Sequence, residues 1–449
     1  MYLAQIQLTN IKGFPELDFD FARPDGGYPG WNVVVGGNSS GKTTLLKAIA
    51  LALFGPEFAA SLLPSAAGWV REGAKEARIV ADLRFDEQCD LFTKSGNTPH
   101  DIFKAGLRFV KEKTGDHPVI RAYEERKTRG IPRVPASRGP WNPNAEGWFA
   151  VGYGPMRRLT GSSAEATRYA VAGGHVSAFV TLFREDAALS ESEEWLKKLR
   201  FRQLSESRLA ENSGTEGLVD DVKRFLNDGL LPASFQVTDV TPEHVYVEGN
   251  TAEGERVRLP MRDLSDGCRS AYALILDIIC HFAKAYDTDT LFTRDLSGRL
   301  VINRPGVVLL DEVEAHLHPS WQRRICDWLK ERFPKVQFIV TSHSPLIVQA
   351  ADRHGIYVLP IPDEDRRARR LDEHEYERVV LGRAEKVLLG EAFGLTATWS
   401  QRAQRLVDRW QSLNARKHAS SVLTSHEEKE YGHLRRQMEI IFEDEARMP

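Results

Sequence analysis

One octapeptide constrains this chain more than any other stretch: Gly36-Gly37-Asn38-Ser39-Ser40-Gly41-Lys42-Thr43. It follows the apolar run Trp31 to Val35 and leads into the helical pattern Thr44 to Phe54, the strand, glycine loop and helix order of a phosphate-binding P-loop. Each residue type has a task. The glycines let successive backbone N–H groups turn inward around a phosphate, Lys42 supplies a mobile cation and Thr43 offers a hydroxyl to Mg²⁺. A glycine-rich turn that merely joins a strand to a helix is the competing reading, and the apolar patterns on both flanks count against it. The stretch implies a bound nucleoside triphosphate.

Far downstream, Gly306-Val307-Val308-Leu309-Leu310 ends in Asp311-Glu312. An apolar run without alternation suits a parallel strand covered on both faces, and ligands of such sheets sit beyond the carboxyl ends of strands. Asp311 is then placed to hold Mg²⁺, and Glu312 to orient and polarise an attacking water. A second apolar run, Val336 to Val340, ends in Thr341-Ser342-His343-Ser344-Pro345. If the helical segment Ser320 to Phe333 joins two parallel strands, their carboxyl ends lie side by side and His343 reaches the same site. The fourth element, Leu264-Ser265-Asp266-Gly267-Cys268-Arg269-Ser270, precedes the apolar helix Ala271 to Tyr286. Ser265 and Asp266 read as N-cap candidates, and the helix N-terminus equally reads as aimed at a phosphate.

With these four motifs in this order, the chain resembles the ATP-binding-cassette (ABC) ATPases of the RecF and SMC superfamily. The opening Tyr2 to Phe14 looks like that group's first strand and turn. Asp311-Glu312-Val313-Glu314-Ala315-His316-Leu317-His318-Pro319 and Val340 to Pro345 look like stand-alone defence ATPases related to the overcoming-lysogenization-defect nucleases. The resemblance covers residues 1–55 and 260–360 well and the rest loosely. It implies that Gly36 to Thr44 (Thr44 included) bind ATP, that Thr43 and Asp311 hold Mg²⁺, that Glu312 is the catalytic base and His343 the switch histidine. It also implies that Ser265 and Gly267 act across a head-to-tail dimer. Asp266 and Cys268 depart from the family's signature, and an acid near a γ-phosphate must turn away from it. The glutamine loop expected between P-loop and signature has two candidate positions, Gln88 and the turn Gly152 to Arg158, where Arg157-Arg158 reads either as a solvated loop or as a contact to phosphate or DNA.

The fold class expected is α/β: an ABC head with a mostly parallel P-loop sheet, an N-terminal antiparallel β portion, an inserted helical lobe and a helical C-terminal tail. The head spans 1–360, with the P-loop lobe at 1–55 and 260–360 and the inserted lobe at 56–259; the tail is 361–449. The insertion lacks sustained heptads, so long coiled-coil arms are absent. Aliphatic and aromatic residues make up 42% of the chain, enough for a large core, and the formal net charge of −3 advertises no global basic field. Any DNA contact must be local, at clusters such as Arg121 to Arg129 or Arg366 to Arg370. The four cysteines, at 89, 268, 280 and 326, have no ligand spacing, which fits a reducing cytoplasm. His316 and His318 form a His-x-His pair, here read as part of the loop beside Glu312 rather than as a metal site. No signal sequence is visible, and the apolar stretch Ala271 to Cys280 is too short to span a bilayer.

Related nucleases carry a Toprim domain after the head, but Glu377 to Ile441 reads as amphipathic helices. Leu388 to Leu395 and the helices after it look like the tails of Septu-type and retron-associated ATPases, which act with a separate HNH endonuclease. The resemblance therefore implies an ATPase, dimeric or of higher order, that regulates a partner nuclease in antiphage defence. The alternative is a RecF-like DNA clamp used in recombination or repair.

Overall fold

The computed structural model describes residues 1–63, 65–93, 99, 101–111, 118–124, 134–171, 174–206, 215–229, 235–250, 254–360, 367–395, 398–418 and 423–442. The chain forms two compact units, Met1–Gly382 and Arg383–Pro449.

The first unit opens with β1 (Tyr2–Ile11) and β2 (Phe14–Asp20), where buried residues are interleaved with half-buried ones in β1 and exposed ones in β2, as a half-covered sheet requires. Then come β3 (Gly30–Val35), α1 (Lys42–Leu62), β4 (Glu76–Arg84), β5 (Ile102–Val110), β6 (Val119–Ala122) and β7 (Ala150–Tyr153). Short helices α2 (Ala164–Val171), α3 (Gly174–Ser177) and α4 (Val180–Phe183) precede α5 (Ser190–Glu206) and α6 (Thr215–Asn227). A small antiparallel sheet of β8 (Phe235–Val240), β9 (Val245–Asn250) and β10 (Arg256–Pro260) leads to α7 (Asp266–Ala285) and the hairpin β11 (Thr293–Arg294) and β12 (Leu300–Val301). The last part of the unit is β13 (Gly306–Leu310), α8 (Pro319–Arg332), β14 (Val336–Thr341), α9 (Pro345–Val348), β15 (Ile356–Val358), β16 (Arg369–Arg370) and α10 (Glu373–Val380).

Two sheets organise these elements. One is antiparallel in the order β2-β1-β4-β5-β6; the other runs β16-β15-β3-β14-β13-β7 and is parallel except for β16. Every residue of β13 and β14 is buried, as unalternating apolar strands in a sheet covered on both faces should be. The helix α1 packs against β4, β5 and β6 of the first sheet and β7, β13 and β14 of the second. By length and composition α1 could cross a membrane, yet its apolar residues are spent on this core, with Leu45, Leu46, Ile49, Leu51 and Leu53 all at 0% exposure. The two sheets are stitched by Gln337: its amide accepts from Leu3 N at 2.8 Å and donates to Leu3 O at 2.9 Å, fully buried.

Helix α1 runs past the expected end at Phe54 but breaks at Gly55 (φ 86) before Pro56. Proline cannot donate to the carbonyl four residues back, which is Ala52. Trp141 fills the gap, its indole N–H donating to Ala52 O at 3.0 Å.

Strands β4 to β7, placed by motif spacing in an inserted lobe, complete both sheets of the head. The boundary set at residue 361 also falls inside the first unit, because β16 pairs with β15 and α10 follows it. Arg369 makes a bidentate bond to Glu375 of α10 at 2.6 Å to each oxygen, and Arg370 reaches the carbonyls of Asp20 and Ala22. Of the basic clusters, Arg366 and residues 125–129 lie outside the described residues.

The second unit is helical among its described residues: α11 (Ala384–Leu389), α12 (Gln401–His418) and α13 (Ser425–Phe442). Leu413, Leu423 and Leu434 form its core, with Leu406, Trp410 and Tyr431 packed against them. Thr424 and Glu427 exchange the reciprocal bonds of a capping box at the start of α13. Arg409–Glu430 and Arg416–Glu427 pairs, at 2.7 and 2.6 Å, tie α12 to α13.

Candidate functional site

The parallel order places the carboxyl ends of β3, β14, β13 and β7 along one edge, and the four motifs converge there. Gly41, at φ 92, turns the chain from loop to helix, a conformation that side chains with a Cβ rarely adopt. A Cβ at that position would also lie 2.5 Å from the Phe14 ring, so the β1–β2 turn is packed directly on the loop. Lys42 is buried and its ammonium donates to Gly36 O at 2.9 Å and Gly37 O at 3.0 Å. Burial pulls its pKa down, against the opposing influence of Glu312, Asp311 and Glu314. Asn38, Ser39 and Thr43 are exposed, while Ser40 is buried and its hydroxyl has no partner among the described residues.

Thr43 Oγ1 donates to Asp311 Oδ2 at 2.6 Å, joining the P-loop to the end of β13. Asp311, 2% exposed, also accepts from Thr341 Oγ1 at 2.6 Å, and that same hydroxyl accepts from Glu312 N at 2.8 Å. Thr341 was legible only as a strand end. Its hydroxyl is the link that orients both carboxylate residues. Glu312 itself sits at φ 46, in the left-handed region.

His343 comes to the same edge with its side chain exposed, and its backbone N donates to Glu314 Oε1 at 2.5 Å. His318 is the N-cap of α8, with Nδ1 accepting from Ser320 N, and the described residues hold no group of metal-binding side chains at the His-x-His pair. Ser265 is the N-cap of α7 but its side chain makes no capping bond and is exposed. Asp266 is turned into an ion pair with Arg269. Gly267 approaches the turn after Glu312 so closely that a Cβ would meet His316 O at 2.6 Å.

Neither glutamine-loop candidate brings a glutamine to this edge. Gln88 lines a cleft with Gly26 to Pro29 and Lys335, beyond the amino ends of β3 and β14. The turn after β7 does reach Asp311, but it carries Arg157. That side chain is 3% exposed and bonds the carbonyls of Asp311, Glu312 and Val313, so it is neither a solvated loop residue nor a phosphate contact. Burial lowers its pKa to about 10, opposed by Asp311, Glu314 and Glu312.

Beside the loop opens a cleft of about 1230 Å³ lined by Lys12, Phe14, Ser39, Gly41, Thr44 and Arg71 among others. Burial and the neighbouring Lys47 lower the Lys12 pKa.

The family described as "AAA domain, putative AbiEii toxin, Type IV TA system" matches residues 162–349, and a family described as "AAA domain" matches residues 5–96. A solved Smc head bound to the C-winged helix domain of ScpA superposes with a TM-score of 0.50 at 16% identity, covering 84% of this chain and 100% of that one. Two families of AAA domains thus match parts of the chain, and its fold is that of the Smc head. The chain is also similar to Septu protein PtuA of Bacillus mycoides, 25% identical over 368 residues, 82% of this chain and 41% of the relative. A shorter match is to the Retron Ec83 probable ATPase of Escherichia coli, 38% identical over 103 residues, 23% of this chain and 17% of the relative. The chain spans less than half the length of these two curated relatives.

Proposed function

We propose that the chain is a Mg²⁺-dependent ATPase whose heads pair head to tail across bound nucleotide, and whose nucleotide state governs a separate effector nuclease of HNH type in cytoplasmic antiphage defence. The observation that carries the enzymatic part is the Thr43 Oγ1 to Asp311 Oδ2 contact, which brings a hydroxyl and a carboxylate from two distant motifs to one point beside Glu312. Hard oxygen donors of this kind suit Mg²⁺. Held by Thr43 and Asp311, the ion would neutralise charge on the triphosphate. Lys42 exchanges the carbonyls of Gly36 and Gly37 for phosphate oxygens, and the N–H groups from Gly36 to Thr44 cradle the same phosphates. Glu312 takes the proton of the attacking water, and the exposed His343 ring contacts the γ-phosphate. Ser265, exposed at the start of α7, serves the nucleotide of the second copy. The similarity to PtuA and to a retron ATPase supports the defence setting, and the helical second unit supplies a docking element.

The test is Glu312→Gln. ATP turnover should fall to background while ATP affinity stays within about threefold, and ATP should drive the variant into a dimer on sedimentation. Wild-type turnover in E312Q removes Glu312 as the base. A monomer at saturating ATP removes the head-to-tail pair.

A further inference from the structure

We propose that Arg157 is a positioning residue for hydrolysis: its guanidinium fixes the peptide planes around Glu312 and thereby aims the carboxylate, without itself meeting the substrate. The proposal rests on the reading of Glu312 as the base.

The ladder of β13 ends at Leu310, which pairs with Val340 on one side and Tyr153 on the other. Past that point the strand's main-chain groups need new partners, since buried peptide groups are almost always paired. The N–H groups find them on the neighbouring strands. Asp311 N donates to Tyr153 O at 2.8 Å, Glu312 N to Thr341 Oγ1 at 2.8 Å and Val313 N to Thr341 O at 3.3 Å. The three carbonyls on the same residues are met by one side chain: Arg157 donates to Asp311 O at 2.5 Å, Glu312 O at 3.2 Å and Val313 O at 3.2 Å. Consecutive peptide planes are therefore gripped on both edges.

The residue at the centre of that grip is Glu312, at φ 46. Left-handed backbone is sparsely populated for a residue with a Cβ, and such residues persist where the surroundings over-determine them. Released from the clamp, Glu312 would relax toward ordinary helical or extended dihedrals and swing its carboxylate off the line to the P-loop. Arginine suits the task because its donors form a rigid planar fork, whereas a lysine ammonium is a point donor that cannot span three carbonyls in fixed geometry. Its charge also matters. All its hydrogen bonds among the described residues go to main-chain carbonyls, so a buried cation is kept here beside Asp311, Glu312 and Glu314, where three acids crowd one turn.

The experiment compares full-length wild type, R157K and E312Q by two readouts: kcat and KM for ATP, and the ratio of ATP affinity with and without Mg²⁺. R157K keeps the charge and most of the volume. It should remain folded by circular dichroism, lose at least about tenfold in kcat with KM little changed, and show a smaller gain in affinity on adding Mg²⁺, because the Asp311 plane is loosened with that of Glu312. Wild-type kcat and wild-type Mg²⁺ gain in R157K overturn the proposal, and so does an R157K protein that fails to fold, which would make the residue purely structural. If wild type itself turns over no faster than E312Q, the reading of Glu312 fails instead. The Mg²⁺ ratio then still decides whether Arg157 sets the geometry of the turn.

Discussion

Replacing Thr341 by valine keeps the shape of a fully buried side chain and deletes one hydroxyl that makes two bonds, to Asp311 Oδ1 at 2.6 Å and from Glu312 N at 2.8 Å. A hydrogen bond to a charged acceptor contributes about 1.5–3 kcal/mol, and a buried N–H left without a partner costs about 1–3 kcal/mol. Asp311 keeps its second donor, Thr43, so part of the first loss is recovered. The net cost of T341V should therefore be about 3 kcal/mol. The same loss, felt at the two carboxylates in the transition state, corresponds to a fall in kcat of about a hundredfold, at ~1.4 kcal/mol per factor of ten. The assay is urea unfolding and ATP turnover of T341V beside T341S, which restores the hydroxyl. T341S should stay within about 1 kcal/mol of wild type and retain most of its rate. If T341V and T341S behave alike in both measurements, the hydroxyl does not organise the acidic turn and the argument fails.

Trp141→Phe removes an N–H that serves Ala52 O, which Pro56 cannot serve, and should lower stability by about 1–2 kcal/mol in urea; an unchanged midpoint would mean that another donor satisfies that carbonyl. His175 stacks on Phe54 at 3.9 Å, and burial together with nearby His281 lowers its pKa from the ordinary 6.5 to about 4. The unfolded chain therefore binds the proton first on acidification: the stability tied to neutral His175 is intact above pH 6.5 and drains away as the pH falls toward 4. The variant H175Q should lose about 2 kcal/mol of that pH dependence, read as the difference in urea midpoint between pH 7 and pH 4.5, after discounting for the side chain's partial exposure. An H175Q protein with the full wild-type slope would assign the acid sensitivity elsewhere.

The motifs could be read because phosphate chemistry demands particular residue types at fixed local spacing, and an unalternating apolar run announces a doubly covered strand. Gly306 to Leu310 and Val336 to Val340 accordingly emerge as β13 and β14, the latter longer by Thr341. What stayed hidden was everything set by pairing across long separations. The place of β7 against β13 depends on Ala150 meeting Val307, which no single-sequence pattern encodes. For that reason Gln88 and the Arg157 turn looked equally eligible for one role, though they lie at opposite ends of the sheet's strands. Gln337, a polar residue within an apolar strand, did carry a signal: an amide at 0% exposure must have partners, and Leu3 provides both. Pro56 carried another, since a proline inside a helical pattern orphans the carbonyl four residues earlier.

The segment from Tyr153 to Arg157 has a second attachment that gives the acidic turn a mechanical context. Tyr153 accepts from Asp311 through its carbonyl, while its hydroxyl donates to Asp277 Oδ2 at 2.9 Å, in the middle of α7. Burial, then Asp277, raises the pKa of the Tyr153 phenol and keeps it a donor, and His281 closes on the same carboxylate oxygen at 3.4 Å. At its N-terminus α7 meets the turn again, where Gly267 leaves no room for a Cβ before His316 O. Helix α7 is thus bonded at Asp277 to Tyr153, the strand residue beside Asp311, and lies against the turn itself at Gly267, two places about three helical turns apart at 3.6 residues per turn. A body held at one point can pivot; held at two it must move with its support. If Ser265 meets the nucleotide of a second copy, as proposed above, a shift of α7 on contact would be passed through Tyr153 and Gly267 to the turn that carries Glu312 in its own protomer.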